Sequence, residues 1–224
     1  MVKALRVIAM TAGIFLLAIF CAISMFLNAT TDGEKYHAIQ AELGVEPGVD
    51  SETMLELDML LARYLAGDAK ALDETELFNA NEKAHMVDVY NIFAALRVIK
   101  NAAFVAAVLI LVAIYYKRKN YNHVQLRLGI VFGVVLFFVP FIVLGAWALT
   151  DFGAAFTWMH EVLFTNDLWL MDARTDLMIR MLPEAFFMKI GGIGAMKAAA
   201  GALLVPMIIF IGTIDWEKAA KKNT

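Results

Sequence analysis

Runs without charge alternate along this chain with stretches dense in carboxylates. Four apolar runs stand out, at approximately 7–27, 99–116, 128–150 and 196–214. Val7–Leu27 carries no ionisable side chain except the Cys21 thiol, and Leu128–Thr150 carries none. Crossing ~30 Å of hydrocarbon takes a helix of ~20 apolar residues, which these two runs reach. The second and fourth runs are shorter, but Arg97, Lys100 and Lys197 stand at their edges and can extend toward lipid headgroups. The pattern predicts four transmembrane helices. The first reads as an uncleaved anchor, because its apolar run exceeds the ~7–15 residues of a signal core. Bulky Phe20 precedes Cys21, which argues against a lipid-attachment cysteine.

The polar stretches are long enough to have structure of their own. In 28–97, Glu46-Pro47-Gly48-Val49-Asp50 reads as a turn, Ser51 as the cap of a helix to about Leu65, and Gly67 as its stop. Met54, Leu57, Leu61, Tyr64 and Leu65 recur at helical spacing. Asn79 with Glu82 fits a capping pair, and a helical pattern then runs through His85, Asp88 and Phe93 into the second apolar run without a Pro or Gly. Residues 151–194 mix Trp158, His160, Phe164, Trp169 and Phe186-Phe187 with Asn, Asp and Arg, a composition that suits the headgroup layer. Leu182-Pro183 should break any helix there. Gly191, Gly192 and Gly194 read as close helix packing or a flexible joint, with backbone approach to a ligand as the sharper reading. The expected fold is an all-α membrane protein: one membrane domain over 1–224, four transmembrane helices, a small mainly helical extracellular cap and an extracellular aromatic/polar loop.

Composition supports this and removes other classes. Of 224 residues, 61% are hydrophobic and 18% charged, with a single Cys, against roughly 45–50% and ~25% in soluble domains. A soluble globular protein, a disordered chain and a disulfide-stapled domain are all excluded. A net charge of −3 does not suggest a nucleic-acid partner. Lys3, Arg6, Lys117, Arg118, Lys119, Arg127, Lys218, Lys221 and Lys222 lie on one side of the four runs, against Asp215 and Glu217. On the other side, 28–97 carries 14 acidic and 5 basic residues, and 151–194 carries 6 and 3. The positive-inside rule then puts both termini in the cytoplasm and the two long segments outside.

Candidate chemistry is sparse. His123 reads as a solvated loop residue and His37 as a surface or cap-packing one. His85 and His160 fall in separate outer segments, one before the second run and one after the third, and can lie at the same depth. Asp88 is three residues from His85, on the same helical face, and can orient its ring. Neither spacing is diagnostic, since a helix-surface pair and a polar loop at the membrane explain them equally well. No Gly-x-Ser-x-Gly elbow, P-loop or dinucleotide fingerprint occurs. A metal site from His85, Asp88, His160 and a later Asp is chemically conceivable, but no His-x-x-x-His pair supports it. No cofactor is expected.

Glu82-x-x-His85-Met86-x-Asp88-Val89 resembles the His-Met-x-Asp-Val segment of the lipoprotein intramolecular transacylases, four-span membrane proteins of Gram-positive bacteria. A longer match follows from His160: Phe164-x-Asn166-Asp167-x-Trp169-Leu170-x-Asp172-x-x-Thr175-Asp176-x-x-Ile179-x-x-x-Pro183-Glu184-x-Phe186-Phe187. Ala173 departs from the family, which commonly has Pro there. The resemblance implies transfer of the sn-2 acyl chain of an S-diacylglyceryl lipoprotein to the α-amine of its own N-terminal Cys, giving a lyso-form lipoprotein. It implies His160 as proton-transfer base and acid, and His85 as its partner in holding the oxyanion or sharing the proton, roles that could be exchanged. Asp88 would orient His85, and Asn166, Asp167, Asp172, Asp176 and Arg180 would shape the loop or bind substrate. The implied partners are diacylglyceryl lipoproteins in the outer leaflet and membrane lipids, with no nucleic acid. The alternatives are a membrane-surface acyl hydrolase or transferase with another acceptor, and a non-catalytic lipid-binding protein.

Overall fold

Each of the apolar runs lies within one long helix. The computed structural model describes residues 2–222, and the side chains of these apart from 118 and 214–222. The basic and acidic residues counted above at 118, 215, 217, 218, 221 and 222 therefore lie outside the described side chains. The long helices are α1 (Val2–Thr30), α4 (Ala80–Tyr116), α5 (His123–Thr150) and α8 (Glu184–Lys222). All four contain a stretch long and apolar enough to cross a membrane. Between them lie α2 (Gly33–Leu43), α3 (Ser51–Ala66), α6 (Phe152–Leu163) and α7 (Leu177–Met181), with 3-10 turns at Ala71–Glu74 and Arg118–Asn120. No strand occurs among the described residues. Side chains such as Leu109, Val143 and Ile208 are more than 60% exposed, as helix faces turned to lipid require.

The chain forms two compact units, one of residues 1–25, 97–145 and 197–224, the other of 26–96 and 146–196. In the first, α1 and α5 meet at glycines. A Cβ on Gly129 would collide with Met10 Cβ, and one on Gly133 would stand 2.8 Å from Ile14 Cβ and 2.9 Å from the Thr11 carbonyl. In lipid, where burial gives little drive, helices associate through such small residues four apart. Ala18 and Ala22 of α1 and Ala198 and Ala202 of α8 form a second buried patch.

The second unit has a larger core that gathers Tyr36, Leu57, Leu61, Phe78, Met181 and Phe186. Its helices start and stop for local reasons. Asp32 caps α2, and Gly44, at φ 66°, ends it. Asp50 caps α3, accepting from Thr53 N and Thr53 Oγ1 at 2.9 Å each. Ser51, expected as that cap, is instead the first helical residue, because the Asp50 carboxylate takes two donors of the first turn. Gly67 ends α3 as expected, and Gly48, at φ 91°, turns the 46–50 segment.

Residues 151–194 are less of a loop than expected. Asp151 Oδ1 accepts from Ala154 N at 3.0 Å and starts α6 directly after α5. Leu182-Pro183 separates α7 from α8 as expected. Gly194 packs against the Phe26 ring, where a Cβ would come within 2.9 Å, while Gly191 and Gly192 face open space.

Candidate active site

The second unit places His85 and His160 together. α4 starts with a reciprocal cap: Asn79 Oδ1 accepts from Asn81 N and Glu82 N at 2.9 and 3.0 Å, and Glu82 Oε2 accepts from Asn79 N at 2.6 Å. Glu82 is 1% exposed, and its other oxygen accepts from Met178 N of α7 at 2.6 Å. One carboxylate thus fixes the first turn of α4 to α7, and His85 follows one turn later.

His160 sits in the last turn of α6, with Nδ1 2.7 Å from the Phe156 carbonyl. A carbonyl only accepts, so this contact assigns the proton to Nδ1 and leaves Nε2 as the basic nitrogen. The two imidazoles lie near parallel, with centroids 6.3 Å apart and planes at 26°. Phe164 touches both rings, at 5.1 Å from His85 and 5.4 Å from His160. Phe156 and Trp169 close on His160 at 4.2 and 4.9 Å. The histidines are 8% and 7% exposed. Burial holds the His160 imidazole below its ordinary pKa, against the opposing pull of the Phe156 hydrogen bond, so it is neutral at pH 7 and able to accept a proton. His85 Nδ1 is buried without a hydrogen-bond partner, an unsatisfied state that calls for a ligand group or water.

Asp88 makes a different bond from the one expected. Its Oδ2 accepts from Asn166 Nδ2 at 2.9 Å, and among the described residues no hydrogen bond joins it to His85. The later carboxylates build the 164–176 segment. Asp172 N donates to Asp176 Oδ2 at 2.7 Å, and Asp176 N donates to the Asp172 carbonyl at 2.8 Å. Asn79 Nδ2 donates to Asp176 Oδ1 at 2.8 Å, tying this segment to the start of α4. The Arg174 guanidinium, 2.6 Å from Asp172, holds that carboxyl below the usual range. Arg180 Nε donates to the Asp176 carbonyl at 3.3 Å. Asp167 contributes its carbonyl to Leu170 N at 3.0 Å, with an exposed side chain.

A cleft of about 300 Å³ opens beside the histidines, lined by Asp88, Asn91, Ile92, Ala95, Leu163, Phe164, Thr165 and Asn166. Asn91, Ile92 and Ala95 were not singled out in the sequence, nor were Phe156 and Phe164 as ring partners. Phe156 precedes His160 by four, a signal that becomes legible once 152–163 is known to be helical. The aspartates do not gather on the histidines: among the described residues, no three His, Cys, Asp or Glu side chains are grouped to hold a metal ion.

A family model for the lipoprotein intramolecular transacylase Lit matches residues 5–187. The fold is similar to that of the membrane integral lipoprotein intramolecular transacylase Lit from Bacillus cereus, 19% identical over 97% of this chain and 98% of that one, with a TM-score of 0.76. Structures of the same Bacillus cereus protein carrying a histidine-to-arginine or a histidine-to-alanine mutation are likewise 19% identical, with TM-scores of 0.73 and 0.72. They cover 98% and 97% of this chain, and it covers 95% and 96% of theirs. Among curated protein sequences, none matches the chain.

Proposed function

The chain belongs to the lipoprotein intramolecular transacylase family, and from that premise we propose that it moves the sn-2 acyl chain of an S-diacylglyceryl lipoprotein to the α-amine of the same N-terminal Cys. The amine nitrogen attacks the ester carbonyl, forming the C–N bond as the sn-2 C–O bond breaks. The amine proton passes to His160 Nε2 and from there to the departing glyceryl oxygen. His85, with its unpartnered nitrogen, faces the carbonyl oxygen and stabilises the charge that develops there.

The observation that carries this reading is the pair of stacked, buried imidazoles, one with its tautomer set by a backbone carbonyl and the other with a nitrogen unsatisfied. A free α-amine titrates at ~7.7–8.0 and is partly protonated near neutral pH. A neutral histidine nearby can take its proton and return it. An activated Ser or Cys is not needed, because nucleophile and ester belong to one molecule and holding them together supplies much of the rate. Asn166, Asp167, Asp172, Asp176 and Arg180 set the shape of the segment over the pair. The site works at the outer leaflet, with both termini inside, in keeping with the distribution of Lys and Arg.

The test is mass spectrometry of the N-terminal peptide of a resident lipoprotein, in a host that leaves its α-amine free. Adding this protein should convert the S-diacylglyceryl peptide to an isomer of equal mass, with one acyl group on nitrogen and one on glycerol. Release of fatty acid without an N-acyl product would make the protein a hydrolase and end the proposal.

A further inference from the structure

The cleft beside the histidines combines a carboxylate with apolar side chains. His85, Asp88, Ile92 and Ala95 are spaced three, four and three residues apart on α4, so they form one stripe on that helix. At 1.5 Å per residue, Asp88 lies about 4.5 Å and Ala95 about 15 Å along the axis from His85, toward the apolar run at 99–116. Asp88 and Asn166, bonded to each other, stand nearest His85 along the helix, and the apolar Ile92, Ala95 and Leu163 share the rest of the lining with Asn91 and Thr165. Phe164 lines the cleft and also touches both imidazoles. Asn166 Nδ2 holds Asp88 Oδ2 at 2.9 Å, while Oδ1 takes no hydrogen bond among the described residues.

We infer that this cleft is the substrate's recognition site, with Asp88, steadied by Asn166, binding the α-ammonium until it gives one proton to solvent and attacks as the neutral amine, and with Ile92, Ala95 and Leu163 seating the acyl chain that migrates. This rests on the acyl-transfer reading above. The ligand it describes is cationic close to the reacting carbonyl and alkyl beyond it, matching a carboxylate one turn from His85 and the apolar Ile92 and Ala95 further along the same helix. A carboxylate with one oxygen fixed and the other unused is suited to a charge-assisted bond from an ammonium group. It also acts in the reaction, because the attacking nitrogen becomes positive as the C–N bond forms and a preplaced anion stabilises that charge. Asp88 is then a binding residue for the amine.

Two measurements on the purified full chain test this. The first compares binding of ether-linked lipopeptides, which cannot transfer an acyl group, with the α-amine free or acetylated. Wild type should prefer the free amine by roughly tenfold or more, the size of one charged hydrogen bond. Asp88→Asn, which keeps an acceptor for Asn166, should lose that preference, and Asp88→Glu should restore part of it. The second follows kcat/KM across acyl chains of increasing length. Ala95→Phe should reduce activity on long chains at least tenfold more than on short ones. A preference for the free amine that survives Asp88→Asn, or an Ala95→Phe loss equal at all lengths, overturns the assignment while transfer itself stands. Wild-type enzyme that forms no N-acyl product from an ester substrate refutes the underlying function instead.

Discussion

His160 and His85 differ in what holds them, and their substitutions should differ accordingly from those of the other histidines. Replacing either with Ala should lower the rate of N-acyl product formation by about 10²–10⁴-fold, the usual share of a general acid–base group. The double substitution should cost little more than the worse single one, since residues acting as a unit are not additive. His37→Ala and His123→Ala should leave near-normal activity at matched membrane abundance. Acidity should act in two steps. The rate falls as pH drops through the amine near ~8, and a second fall, from His160, lies below ~6.5 because burial depresses that group. A kcat/KM profile from pH 5 to 9 checks this, and a histidine inflection above ~6.5 would count against it.

A different carboxylate contributes to the pH dependence of stability. Asp58 is fully buried, accepts from Gln40 Nε2 at 3.0 Å and lies 3.7 Å from His37 Nδ1. Burial pushes it from 3.8 to about 7, against the Gln40 bond, which lowers it. Because the folded value exceeds the unfolded one, the stability this group contributes is full below 3.8, is lost progressively as pH rises from there, and is gone above about 7. Asp58→Asn should make the change in melting temperature from pH 5 to pH 8 in detergent more positive than in wild type, and an unchanged difference would refute it. None of this was legible in the sequence, where Asp58 is one acid among fourteen in its segment. His85 and His160 were legible only through their motifs, since spacing alone could not bring 85 to 160.

Among elements, the ones with local start and stop signals were readable: the Asn79–Glu82 cap, the Gly67 stop and the break at Leu182-Pro183. α6 was not, because its mixture of aromatic and polar residues resembles a headgroup loop, and the deciding signal is the single cap Asp151. The second bond of Glu82, to Met178 N, is also invisible locally, since its partner is 96 residues away. Glu82→Ala leaves two N–H groups without their acceptor, and each buried loss costs ~1–3 kcal/mol. It should therefore lower the melting temperature clearly, with Glu82→Gln milder. Gly133→Val should also destabilise, because a side chain there meets Ile14 and the Thr11 backbone. Loss of folded protein in membranes is the readout, with Gly145→Val, where space is open, as the comparison.

For the whole molecule, near-absence of charge marks the four long helices, outright in α1 and α5 and with a Lys at the edge of the run in α4 and α8. α4 is the informative exception. Its 37 residues correspond to about 55 Å at 1.5 Å per residue, more than the ~30 Å of hydrocarbon, so it is long enough for its first turns, which include His85, to stand clear of a membrane that its apolar run crosses. Sidedness is an expectation from charge. In a Cys21→Ser background, a membrane-impermeant thiol reagent should label a Cys at Asp68 and spare one at Lys119. The reverse pattern would put the histidines on the wrong face.

The central claim is that nitrogen and acyl chain come from one substrate molecule. A crossover experiment with purified protein tests it most directly. Two S-diacylglyceryl peptides, one heavy in both peptide and sn-2 acyl chain and the other light in both, are mixed and the N-acyl products weighed. The account expects only heavy–heavy and light–light products, all absent with His160→Ala. Mixed products in statistical proportion would show transfer between molecules and contradict it.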